Sequence, residues 1–369
     1  MAYQYSLNNP PAYMGFVGFV RLKNGLVQGD PVANPGSNKS HGNYIIRATT
    51  ADITLKQEIT RPDVVDSRYD KTVYQLGPKL IDGSLAFPAI YDLPEGETTN
   101  IFELLYRYAV TRNTSGNLSY FNLDVKYATS SGLAHVAEFT YNGCIVNTWK
   151  FAVAQSDVVT CSIDIIGVTR DINSAMTVPK RGDTACTPVG EEGNGSISTT
   201  RIVTWADARV EFWPGRGPST PITGEYVRTF EANINNNAER FYTLNTFLQP
   251  QAVAPRKRDV SGSMTLMGRQ SILADLASSN EISCTESSQI KFGYKGASTG
   301  EGCTGPNGEN IATFGVTLPN VIFEIEQMKL TNELFETTVN WSSLPGAGTG
   351  TCDPLLYSLV EGGGTTFLY

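Results

Sequence analysis

Histidine is almost missing from this chain: its 369 residues include two, His41 and His135. Imidazole acid–base catalysis and multi-histidine metal sites have almost no raw material, so no catalytic residue, metal site or cofactor is expected. The six cysteines form no Cys-x-x-Cys pair, which argues against a zinc ribbon. No apolar run approaches the roughly 20 residues of a membrane span. Residues 1–11 lack a basic stretch followed by an apolar one, so a soluble chain made in the cytoplasm, without a membrane partner, is expected. Basic charge is scarce too, with 28 Lys and Arg against 36 Asp and Glu and a net charge of −8. Gripping DNA or RNA needs cations to neutralise phosphate, so this balance argues against a conventional nucleic-acid-gripping surface, whereas a surface that repels DNA is compatible.

What is abundant points to strands and turns. Hydrophobic residues make up 40% and aromatics 10%, enough to bury a proper core and exclude disorder as the main state. The 17 Tyr and 16 Phe, with much Val, Thr and Ile, suit pleated sheets, and 35 Gly with 19 Pro supply turns. The length suggests about two domains. Strands are expected at 15–22, 44–47, 51–60, 79–91, 118–127, 133–141, 145–153 and 158–168. Asn-Gly, Ser-Gly and Ser-Asp turns separate the later ones. Ile53 and Leu55, with Ile59 as a candidate third, share one face of the third strand. Residues 98–109 read as a helix, because Ile101, Leu104, Leu105 and Tyr108 recur at helical spacing behind Thr98 or Thr99. Strands follow at 201–212, 226–234, 260–267, 289–294, 311–317, 321–330 and 334–341, with a polar turn at Asn235–Asn237 and Arg240 and a short helix at 271–278.

The two halves resemble each other. Ile81-Asp82-Gly83-Ser84-Leu85 aligns with Val260-Ser261-Gly262-Ser263-Met264 at a shift of 179. Phe139-Thr140-Tyr141-Asn142 aligns with Val316-Thr317-Leu318-Pro319 at 177, and Cys161, Ile163 and Ile165 align with Thr337, Val339 and Trp341 at 176. Ordered anchors at a near-constant shift predict an internal duplication. The expected fold is mainly β: two tandem β-sandwich or barrel-like domains, each with one short α-helix. The expected layout is an N-terminal arm with the first strand (1–42), a first domain (43–175), a linker (176–197), a second domain (198–345) and a Gly-rich C-terminal segment (346–369).

The stretch Asn233-Ile234-Asn235-Asn236-Asn237-Ala238-Glu239-Arg240-Phe241-Tyr242, followed by Gln249-Pro250 and the Gly262-Ser263 strand, resembles bacteriophage tail tube proteins. The Gly83-Ser84 strand and the closing pair around Asn142–Asn147 and Thr160–Gly167 are similar to the same family, while the first half has Thr60-Arg61-Pro62-Asp63 in place of the Asn-rich turn. The resemblance implies a structural virion protein that assembles with itself into stacked rings. Strands of neighbouring subunits would join around a lumen that passes DNA without binding it specifically. A duplicated chain would close a pseudo-sixfold ring from three copies. Other tail proteins are the implied partners: a terminator, a baseplate or tip, and a sheath. The implied location is the virion tail, assembled in the host cytoplasm. The alternative class is a two-domain β-sandwich that binds carbohydrate or a receptor, which the scattered Trp149, Trp205, Trp213 and Trp341 do not favour.

The remaining motifs stay open. Cys144 and Cys161 read as buried thiols; a hairpin turn at Gln155-Ser156-Asp157 would set Cys161 opposite Phe151 and not opposite Cys144. Cys284 and Cys303 bracket a Gly/Ser-rich hairpin and form a candidate disulfide. Cys186 and Cys352 are candidate interchain thiols, and four free thiols is the competing reading. Pro255-Arg256-Lys257-Arg258 is the one compact basic run, open to pairing with an acidic neighbour, to nucleic acid or to plain solvation. Gly300-Glu301-Gly302-Cys303-Thr304-Gly305 has dinucleotide-loop spacing without the flanking strand and helix, and reads as a loop.

Overall fold

Side-chain alternation makes the sheets. In the strand Val227–Asn235, Phe230, Ala232 and Ile234 are buried, while the residues between them are partly exposed. The computed structural model describes residues 16–23, 44–46, 48–60, 75–89, 101–110, 112, 117–129, 135–172, 202–213, 222–223, 227–243, 250, 252–267, 288–294, 314–318, 321–325 and 336–343. The first half contains β1 (Phe16–Lys23), β2 (Tyr44–Ile46), β3 (Thr50–Thr60), β4 (Gln75–Pro88), α1 (Ile101–Val110), β5 (Phe121–Thr129), β6 (His135–Ala154), β7 (Thr160–Gly167) and β8 (Thr169–Ile172). The second contains β9 (Ala208–Trp213), β10 (Ile222–Thr223), β11 (Val227–Asn235), β12 (Glu239–Phe241), β13 (Ala252–Ala254), β14 (Asp259–Met267), β15 (Gln289–Tyr294), β16 (Phe314–Leu318), β17 (Val321–Ile325) and β18 (Glu336–Ser343).

All pairings are antiparallel. One continuous path runs β3-β4-β7-β6-β11-β14-β18-β17. A second runs β2-β1-β5-β6, with β8 on the other side of β6. A third runs β10-β9-β15-β16, and β12 pairs with β13 as a separate arm. The strand β6 belongs to two sheets: residues 135–144 face β5, and residues 145–154 face β7 and β11. The sequence predicts a turn at Asn142-Gly143 between two strands. The chain instead continues as one strand of 20 residues with a bend there. Gly143 takes φ 63, a conformation that kinks the strand without reversing it. Val168 N–H donates to Asn142 O at 3.0 Å, so the partner chain bends in step.

The pairings of the two halves correspond. Gly83 lies opposite Ile53 on β3 and Ile165 on β7; Gly262 lies opposite Ala232 on β11 and Trp341 on β18. Leu85 faces Ile163 as Met264 faces Val339. The orders β2-β1-β5-β6 and β10-β9-β15-β16 also correspond. The two glycines share a physical cause, because the neighbouring strands fill the space a Cβ would need. At Gly83 it would stand 2.7 Å from Ile53 Cγ1; at Gly262 it would stand 2.0 Å from Glu231 O and 2.3 Å from Trp341 Cζ2.

The core is aromatic and spans both halves. Phe102 of α1 meets Phe87, Trp149 and Phe151 of the first half and Tyr294 and Phe314 of the second, all edge-on. Every residue of α1 is buried, so its polar-looking side is covered as well; Glu103 and Arg107 pair at 2.5 Å. The expected hairpin at 155–157 is present, with Ser156 at φ 68 and Phe151 opposite Cys161. Cys144 faces Phe121, and both thiols are free and buried; burial pushes the Cys144 thiol up to about 12. Ile59 departs from the expected buried face. A register shift between Gln57 and Ile59 turns it out to 54% exposure. The expected helix 271–278, the domain boundaries and the Gly300–Gly305 motif lie outside the described residues.

Candidate assembly surface

The joint between the halves is a strand pairing. The outer edge of β6 takes β11 in the register Thr229–Ala154 to Asn235–Thr148. Core-side pairs are apolar, with Ile234 opposite Trp149 and Ala232 opposite Phe151. On the other face Lys150 and Glu231 pair at 2.7 Å across the joint, at an exposure where such a pair contributes little.

The Asn-rich turn fastens this joint. Asn236 is completely buried, and its Nδ2 donates to Ala109 O at 2.9 Å and Val146 O at 3.1 Å. Its backbone N–H donates to Asn147 O. Its Oδ1 accepts from Arg258 Nε at 3.0 Å, and Arg258 Nη2 donates to Val110 O at 2.7 Å. The last carbonyls of α1 have no partner inside the helix, and a guanidinium placed there also meets the negative end of the helix dipole. Asn237 takes φ 47, the left-handed region that Asn tolerates, and Ala238 N–H donates to Asn147 Oδ1 at 2.7 Å. The arm β12–β13 then lies back over the first half. Arg240 donates to Ile81 O at 2.6 Å and pairs with Asp82, and Tyr120 OH donates to Val253 O at 3.0 Å.

The basic run 255–258 therefore does not act as one unit. Arg258 caps the helix within the chain, Arg256 pairs with Glu239, and Lys257 is exposed. Cys186, Cys284, Cys303 and Cys352 lie outside the described residues.

At the two ends of the eight-stranded path stand β3 and β17. Among the described strands each is paired on one side, β3 to β4 and β17 to β18. The face of this path turned away from the core carries Asp52, Asp82, Asp164, Glu231, Asp259, Glu324 and Glu336 among serines, threonines and asparagines. Its strand cations are Lys56, Lys150 and Arg228, and the last two are paired with Glu231 and Glu336. The serines of both Gly-Ser pairs, Ser84 and Ser263, belong to this polar face, while the glycines make room for neighbouring strands.

A family model described as Phage tail tube protein matches residues 38–319. This chain belongs to the phage tail tube protein family. The match takes in both halves, from before β2 to just after β16. A tail tube protein is a structural component of the virion tail, and its assembly partners are copies of itself and other tail proteins. Comparison with curated proteins gives no match. Among the described residues no group of three or more His, Cys, Asp or Glu is placed to hold a metal ion, and no helix is long and apolar enough to cross a membrane.

Proposed function

We propose that this chain forms a ring of three copies, pseudo-sixfold because each supplies two like sets of strands. Stacked rings would make a tube through which DNA is ejected. The observation that carries this reading is the β6–β11 joint, where the corresponding sheets of the two halves already join edge to edge. A head-to-tail contact of this kind closes a ring when its rotation divides the circle, and closure removes the exposed strand edges that invite uncontrolled pairing. The polar, acid-rich face of the eight-stranded path would line the lumen. Its carboxylates would repel phosphate at short screened range, so that DNA slides without being held.

Negative-stain images together with the mass of the smallest ring test this reading. Rods or rings of uniform bore with the mass of three chains are expected. A monodisperse monomer under conditions that polymerise other tail tubes would refute it.

A further inference from the structure

The ring reading leaves open which strands meet between copies and in what register, and the joint inside the chain supplies the template. The strands β11 and β14 correspond to β3 and β4 at a shift of 179, set by Gly262 over Gly83. The strands β17 and β18 correspond to residues 145–154 of β6 and to β7 at a shift of 176, set by Val339 over Ile163. The joint therefore has one missing counterpart on each outer edge. Among the described strands, the β3 edge has the place of β11 without a β6 beside it, and the β17 edge has the place of β6 without a β11.

Resting on that reading, we propose that β3 of one copy pairs antiparallel with β17 of a second copy, with Lys56 opposite Glu324 and Leu55 opposite Ile325. These pairs are the images of Asn235 opposite Thr148 and of Ile234 opposite Trp149 at the internal joint. Three observations favour this occupant. Lys56 and Glu324 are both exposed on the polar face, and opposite charges directly across a ladder attract. Leu55 is partly buried and packs on the core, so the apolar layer would continue across the contact as it does at Ile234. Ile59 and Leu76 face each other at the far end of β3 and β4 and are 54% and 43% exposed. Ala238, which corresponds to Ile59, packs on Leu118, Ile145, Ile166 and Val253, a cluster drawn mainly from the first half. An exposed apolar pair beside an open edge thus sits where its counterpart is covered by the neighbouring unit.

Cysteine pairs test the register, in a chain whose Cys186, Cys284, Cys303 and Cys352 are replaced by Ser. Directly opposed residues on an antiparallel ladder bring Cα atoms within disulfide reach, and a two-residue slip does not. Mild oxidation of assembled K56C/E324C should convert most chains to covalent dimers and trimers on a non-reducing gel. T54C/E324C should link little under the same conditions. Charge reversal is an independent readout: Lys56→Glu should weaken assembly about two- to tenfold, and Lys56→Glu with Glu324→Lys should restore it. Tubes that form while T54C/E324C links and K56C/E324C does not would overturn the register and leave the ring reading standing. Linking of K56C alone would overturn the partner strand, because it places β3 against β3. Absence of any ring or tube from the unmodified chain would refute the ring reading itself.

Discussion

The joint between β6 and β11 and the outer edges of β3 and β17 share a strand geometry and differ in what fills them. At the joint, backbone pairing is backed by Asn236, which is sealed from water and bound to two carbonyls and a guanidinium. At the edges the corresponding positions carry charge and exposed apolar side chains: Lys56, Glu324, Ile59 and Leu76. A contact made once, during folding, can use a buried polar network, because the chain cannot leave it. A contact made between copies must tolerate solvent before it forms, and open edges are normally guarded by charge for that reason.

The strongest way to break the correspondence is at the two strand glycines. Gly262→Ala should destabilise the fold by about 3 kcal/mol or more, because the added methyl meets a backbone oxygen and the Trp341 ring. Gly83→Ala should cost about 1–2 kcal/mol, since the nearest atom there belongs to the side chain of Ile53. Denaturant unfolding of the two variants measures the difference. Equal losses would mean that the crossings are not packed differently.

Asn236→Ala comes next. It leaves Ala109 O, Val146 O and the Arg258 Nε donor without their partner, a loss of roughly 2–4 kcal/mol. Urea unfolding should show the loss, and hydrogen exchange should show faster amides in the last turn of α1.

Thiol chemistry sharpens the contrast between core and edge. Burial holds the Cys144 and Cys161 thiols protonated, so their peptides should stay unmodified by iodoacetamide at pH 8 until the chain is unfolded. Modification of either in the native protein, read by mass mapping, would mean that the core at Phe121 or Phe151 opens.

The smallest effect is expected from the exposed pair across the joint. Glu231→Gln should change stability by less than about 1 kcal/mol, and less still at high salt. Thermal unfolding at two salt concentrations checks it.

Local signals in the sequence were sufficient where structure is local. The strand expected at 289–294 is β15 with those bounds, and the Ser-Asp turn places Cys161 opposite Phe151. The membership in the tail tube family was visible in the Asn-rich turn and the Gly-Ser strands. Three features were not legible, each for a physical reason. An Asn-Gly pair favours positive φ, but positive φ at one residue serves a bend in a continuing strand as well as a reversal, and only the partner strand decides. Arg258 looked like part of a surface cluster because its acceptor, Val110 O, lies 148 residues away. The role of Asn236 was hidden likewise, with acceptors 127 and 90 residues distant. Nor does a strand's own sequence say which edge it will join; the correspondence of Gly83 with Gly262 becomes a prediction about β3 and β17 only once the β6–β11 joint is known.

Hydrogen exchange of assembled tubes against unassembled chain tests that prediction most directly. Amides of β3 and β17 that exchange quickly in the free chain should slow on assembly to the level of β11, which is paired on both sides in either state. Amides in β3 and β17 that exchange as fast in the tube as in the free chain would contradict the account, because those edges would then stand open in the assembled ring.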